Sequence, residues 1–312
     1  MVNKMRKEKK QAVDVSLSAI QGYHARTDYR ANYATQGFET QFQCFASDRP
    51  TAADGTKKTV GIEIEMTSGI NNEQALATVV NCGIKDYFPK GLMKQQHDGS
   101  LGRATATEII TQPMTKAFIR NQYNAFKAFW TFLKRHDISP DNSCGMHCNI
   151  SMVSFGKTRD EQIKAITRLH NFMCTHYKMC CALFKRDLNH TDYCGRMRIN
   201  NIDMCGSHYY MMNYSHMNDG NGAARVEIRL VGPQRTFPNF RNTMETVFHL
   251  VEAAKDGRDF SNIVAVFKGC NECVLERLSD LIPLGYLSVA EYDAIKATSK
   301  NSGIKDATSD NR

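Results

Sequence analysis

Long apolar runs are missing from this chain. None approaches the roughly 20 residues that a membrane-spanning helix requires, so an integral membrane protein is not expected. A G-x-x-x-x-G-K-[S/T] loop and a G-x-G-x-x-G turn are also missing, which removes the P-loop, dinucleotide and kinase-type phosphate cradles. Cys270 and Cys273 form a C-x-x-C, but no second pair stands at zinc-ribbon spacing and no His/Cys quartet accompanies them, which argues against zinc. The chain has no internal repeat and no low-complexity tract.

What remains is an ordinary globular composition. With 312 residues and 42% hydrophobic content, the chain can bury a core in one large domain or two modest ones. Its formal charge of +8 is concentrated at the start, where Lys4, Arg6, Lys7, Lys9 and Lys10 are opposed only by Glu8. That stretch has no interleaved aromatic residues to stack on bases. It reads as a solvated end, and nucleic acid is not an expected partner. The eleven cysteines are odd in number, and no apolar leader follows the basic start, which points to reduced thiols and the cytoplasm.

The stretch Val60-Gly61-Ile62-Glu63-Ile64-Glu65-Met66 alternates strictly. In a strand, Ile62, Ile64 and Met66 share one face, and Glu63 and Glu65 the other. Two like charges on one strand face repel, and glutamate is a poor strand former, so a bound cation would explain them. The plain alternative is an edge strand with a solvated acidic face. The pattern recurs, however. Ala104 to Thr111 predicts a strand carrying Glu108, Met146 to Met152 one carrying His147, Asn149 and Ser151, and Arg225 to Val231 one with Arg225, Glu227 and Arg229 on its polar side.

Between these strands the periodicity predicts helices. Asn71 to Asn81 reads as a short helix ended by Gly83, Thr115 caps one running to about His136, and Thr158 or Asp160 begins one running to about Phe184. Phe240 to Lys255 and Glu272 to Leu281 follow. Tyr209 to Tyr214 reads as a strand, and Lys185 to Ser207 as a polar excursion over a site. Residues 1–56 form an N-terminal extension, 57–297 the main domain and 298–312 a polar tail. The expected fold is α+β, with a curved, mainly antiparallel sheet and helices on one face. Glu63, Glu65, Glu108, His147, Glu227 and Arg229 gather on its concave polar face, where metal and phosphate together would balance the charge.

The ordered set G-x-E-x-E at Gly61 to Glu65, D-G-S-L at Asp98 to Leu101 with Glu108-Ile109, S-C-G-x-H at Ser143 to His147, a Tyr-rich strand with Asn213, and E-I-R at Glu227 to Arg229 resembles the amidoligase family. That family belongs to the carboxylate-amine ligases with a glutamine synthetase or glutamate-cysteine ligase fold, many encoded by phages or bacteria. The resemblance spans about Thr59 to Leu230. It implies ATP- and metal-dependent amide-bond formation in the cytoplasm, of a host cell where the gene is phage-borne, with Mg2+ or Mn2+ as the ion and small-molecule or peptide carboxylates and amines as substrates. By resemblance Glu63, Glu65, Glu108, His147 and Glu227 hold metal, and Arg229, His147, Asn149 and Ser100 face the nucleotide. Arg229, Glu65 and His147 carry the catalysis. Two departures stand out. Asn149 occupies the place of a second histidine, and Thr111-Gln112-Pro113 replaces a Ser-Pro. Two other readings share the sequence: a guanidino-kinase-like phosphotransferase on the same fold, and a non-catalytic phage structural or nucleic-acid-binding protein.

Overall fold

The computed structural model describes residues 56–96, 105–196, 209–219 and 223–299, with the backbone of 43–44 and 51–52. Most of the expected N-terminal extension, the C-terminal tail from residue 300, and Asp98 and Ser100 lie outside the described residues. Two short strands, β1 (Gln43–Cys44) and β2 (Thr51–Ala52), pair antiparallel.

The strands of the main sheet are β3 (Thr59–Ser68), β4 (Met93–Gln96), β5 (Ala106–Thr111), β6 (Met114–Thr115), β7 (Ile138–Ser139), β8 (Met146–Ser151), β9 (Met212–Asn213) and β10 (Arg225–Val231). Their order is β4-β5-β3-β8-β10-β9, with β6 and β7 also on β3, and every pairing is antiparallel. The fold is therefore α+β around an open antiparallel sheet. Because β3 has β5 on one side and β8 on the other, it is an interior strand, and the solvated-edge reading of Glu63 and Glu65 fails on topology. Register is set by the apolar rows. Ile62 faces Cys148 and Ile64 faces Ile109 across the strand pairs, all of them fully buried, and a one-residue slip would drive the glutamates into that core.

The helices are α1 (Glu73–Tyr87), α2 (Lys116–Asn121), α3 (Tyr123–Arg135), α4 (Arg159–Thr175), α5 (Tyr177–Leu183), α6 (Phe237–Lys255), α7 (Ile263–Phe267), α8 (Glu272–Ser279) and α9 (Val289–Lys296). Asn72 caps α1, accepting from the Ala75 amide at 2.9 Å. The helix then runs past Gly83, which was expected to end it. A Cβ at Gly83 would stand 2.5 Å from the Phe132 ring, so this glycine permits close packing of α1 on α3 and is not a stop signal.

Two expected long helices are each divided. Thr115 caps as expected, but at Gln122 the backbone leaves helical geometry (φ −91°, ψ 1°), and its amide is shared between the carbonyls of Phe118 and Ile119. The Thr158 helix, opened by a capping box with Glu161, breaks similarly at His176. The expected Tyr209 to Tyr214 strand contracts to Met212–Asn213, because the chain turns at Tyr214, where its carbonyl takes the Met217 amide. The apolar stripe of α3 supplies Phe126, Phe129 and Trp130 to an aromatic cluster with Phe88 and Phe240. Against the sheet, α1 meets β4 and β5 and α5 meets β10, while α4 and α8 pack on α6. No helix of the described residues is long and apolar enough to cross a membrane.

Candidate functional site

Alternation in four neighbouring strands brings the expected groups onto one face. Glu65 stands opposite Glu108 across β3 and β5, Glu63 opposite His147 across β3 and β8, and Glu227 opposite Asn149 on one side and Asn213 on the other. Glu65, Glu108, His147, Glu227 and Arg229 are all buried, with Glu108 completely so. Directly opposed buried glutamates, as at Glu65 and Glu108, destabilise a sheet unless an opposite charge offsets them.

His147 is the hub of the arrangement. Its Nδ1 lies 3.0 Å from Glu63 Oε2 and 3.4 Å from Glu227 Oε1, and its Nε2 lies 3.7 Å from Glu65 Oε1. Burial and the nearby Arg229 push its pKa down, but the hydrogen bond to Glu63 and the charges of Glu65 and Glu227 outweigh them and leave it above the ordinary histidine value. Burial raises the Glu227 carboxyl, yet Arg229, His147 and the Asn213 amide (2.8 Å) hold it below the ordinary value.

Each remaining carboxylate has its own anchor. Glu65 Oε2 accepts from the Gly145 amide at 2.5 Å, and Glu108 Oε2 accepts from Gln96 Nε2 at 2.8 Å. Glu63 Oε1 accepts from Asn149 Nδ2 at 2.8 Å. Arg229 donates through NH1 to Glu227 Oε1 and through Nε to the Tyr193 carbonyl at 3.2 Å, so its guanidinium is fixed at two points.

One ligand atom from each of Glu63, Glu108 and His147 can lie within 4.8 Å of the others. Two carboxylates and an imidazole are a donor set suited to a hard or borderline divalent ion such as Mg2+ or Mn2+, and an ion there would relieve the opposed carboxylates. Glu65 and Glu227, expected in the same metal set, border this trio through His147 and are not part of it. Ser100 lies outside the described residues.

Lys94 carries no sequence signal of a place in the site. It is buried on β4 beside the glutamate face, and burial, opposed by the charge of Glu108, pulls its pKa down to about 7. The run Met93-Lys94-Gln95-Gln96 lacks apolar alternation, so nothing in it announced a strand. Arg225 was placed on the polar face without a role. It in fact reaches Asn149 and Asp219. The C-x-x-C thiols are buried, and that burial pushes their pKa up to about 12, which disfavours the thiolate at Cys270 and Cys273.

No protein-family model and no curated protein sequence matches the chain. Among solved structures, a Plasmodium falciparum glutamine synthetase is similar over 65% of this chain and 52% of its own, at 12% identity and a TM-score of 0.42. The chain thus spans about half the length of that enzyme. A likeness of this size carries no argument about function.

Proposed function

We propose that the protein is an ATP-dependent carboxylate-amine ligase of the amidoligase type, working through an acyl phosphate. The observation that carries this reading is the assembly of half-buried Glu63 and buried Glu65, Glu108 and Glu227 about His147, with Arg229 at its margin, on one sheet face. Fold stability alone gives no reason to place four carboxylates there.

A free carboxylate is a poor electrophile, so amide formation at neutral pH requires activation. In the proposed reaction a substrate carboxylate oxygen attacks the γ-phosphorus of ATP and ADP leaves. The amine then attacks the acyl carbon, loses a proton and displaces phosphate. Glu63, Glu108 and His147 would hold the divalent ion, which when bound neutralises phosphate charge. Arg229 presents a fixed fork of donors toward the transferred phosphoryl group. Glu227 orients Arg229, and Glu65, braced by Gly145, closes the ring around His147.

The test is incubation with ATP, magnesium and a panel of acids and amines, with mass spectrometry of the products. An amide with equimolar ADP and phosphate supports the ligase. A stable phosphoramidate would select the guanidino-kinase-like reading, and nucleotide-independent, salt-sensitive DNA binding the non-catalytic one.

A further inference from the structure

Asn149 stands opposite Glu227 across β8 and β10, and its surroundings fix its orientation. Its Oδ1 accepts from Arg225 Nε at 3.0 Å, and its Nδ2 donates to Glu63 Oε1 at 2.8 Å. Neither bond can be reversed, since a guanidinium only donates and an ionised carboxylate only accepts. The amide oxygen, its one good metal-ligand atom, is thereby turned to the arginine. Arg225 is held in turn by Asp219 Oδ2 at 3.1 Å and by the Ala223 carbonyl at 3.2 Å, and Asp219 also meets His216 Nδ1 at 2.9 Å. Asn149 and Arg225 are both buried, while the Asp219 side chain is 29% exposed.

We propose that Asp219, Arg225 and Asn149 form a positioning chain that fixes Glu63 as a metal ligand. This rests on the metal site proposed above. The amide takes up one Glu63 oxygen while His147 takes the other, so the carboxylate plane is set from both sides. Without Arg225, the Asn149 oxygen loses the donor that anchors it, and the amide that holds Glu63 is no longer fixed from behind. Supports of this kind around a metal ligand typically change affinity by about 10- to 100-fold.

The sign of the effect separates this role from a simple charge. If Arg225 acted only as a positive charge near the ion, removing it would tighten binding. The positioning role requires the reverse. Mn2+ affinity of the full chain is to be measured by electron paramagnetic resonance without nucleotide, for wild type, Arg225→Met, Asn149→Leu and the double variant. The expected result is affinity weakened roughly tenfold or more in each single variant, with the double no weaker than the worse single, because both break one chain. Asp219→Asn, on a partly exposed loop and therefore tolerant of change, should weaken binding in the same direction but less. Equal or tighter binding in Arg225→Met or Asp219→Asn, or additive losses in the double variant, would overturn the positioning chain and leave the ligase reading standing. No Mn2+ binding by wild type would overturn both.

Discussion

Glu63 and His147 face each other directly across β3 and β8, with His147 Nδ1 3.0 Å from Glu63 Oε2. This pair joins the two halves of the polar face: Glu65 and Glu108 lie toward β5, and Glu227 and Arg229 lie on β10. A substitution at either residue is expected to affect both the candidate metal trio and Arg229.

Metal binding should depend unequally on the glutamates. Glu108 belongs to the trio with donor atoms within 4.8 Å, whereas Glu65 is engaged by the Gly145 amide. Glu108→Gln is expected to abolish the rise in melting temperature caused by millimolar Mn2+, and Glu65→Gln to reduce it only in part. Thermal melts of the three proteins with and without Mn2+ check this.

Arg229→Lys keeps the charge but loses the planar fork that engages Glu227 and the Tyr193 carbonyl together. The variant should fold and bind Mn2+, yet form product roughly a hundredfold more slowly. If Arg229 served only as the charge partner of Glu227, lysine would keep that charge and leave turnover nearly normal. Single-turnover kinetics distinguish the two.

His249 on α6 supplies a pH-dependent component of stability away from the site. Burial pulls its pKa down to about 4, opposed by its hydrogen bond to the Val266 carbonyl (2.9 Å). Between about 4 and the ordinary 6.5 the unfolded chain binds the extra proton, so this contribution is full above pH 6.5 and is lost as pH falls toward 4. It amounts to at most roughly 3 kcal/mol. Urea unfolding from pH 7.5 to 4.5 should show a shallower loss of stability in His249→Gln than in wild type.

Glu245 lies at the centre of a buried structural network, accepting from Arg120 Nε (2.8 Å), Tyr123 Oη (2.9 Å) and Asn271 Nδ2 (2.8 Å). Glu245→Gln removes the charge that pairs with the partly exposed Arg120 and should destabilise the protein by about 1–3 kcal/mol. Mn2+ affinity at 15 °C should stay unchanged, because the network joins α2, α3, α6 and the α8 cap, not the strands of the site.

The sequence by itself determined the strands of the site, because strict alternation of apolar and polar residues leaves one way to bury Ile62, Ile64, Cys148, Ile150, Val226 and Ile228. With those residues inward, Glu63, Glu65, His147, Glu227 and Arg229 must share the other face. Caps at Asn72, Thr115 and Thr158 were equally legible, since a short polar side chain before an apolar period satisfies the free helix amides locally. Only the tertiary structure decided which strand neighbours which, that Gly83 serves helix packing, and that β4 exists with Lys94 buried on it. The same holds for the link from Asp219 through Arg225 and Asn149 to Glu63. Each depends on contacts between segments distant in the chain, Asn149 to Glu63 spanning 86 residues and Arg225 to Asn149 76. Periodicity reports how a segment meets the core, but which partner it meets there is fixed by packing the whole chain at once.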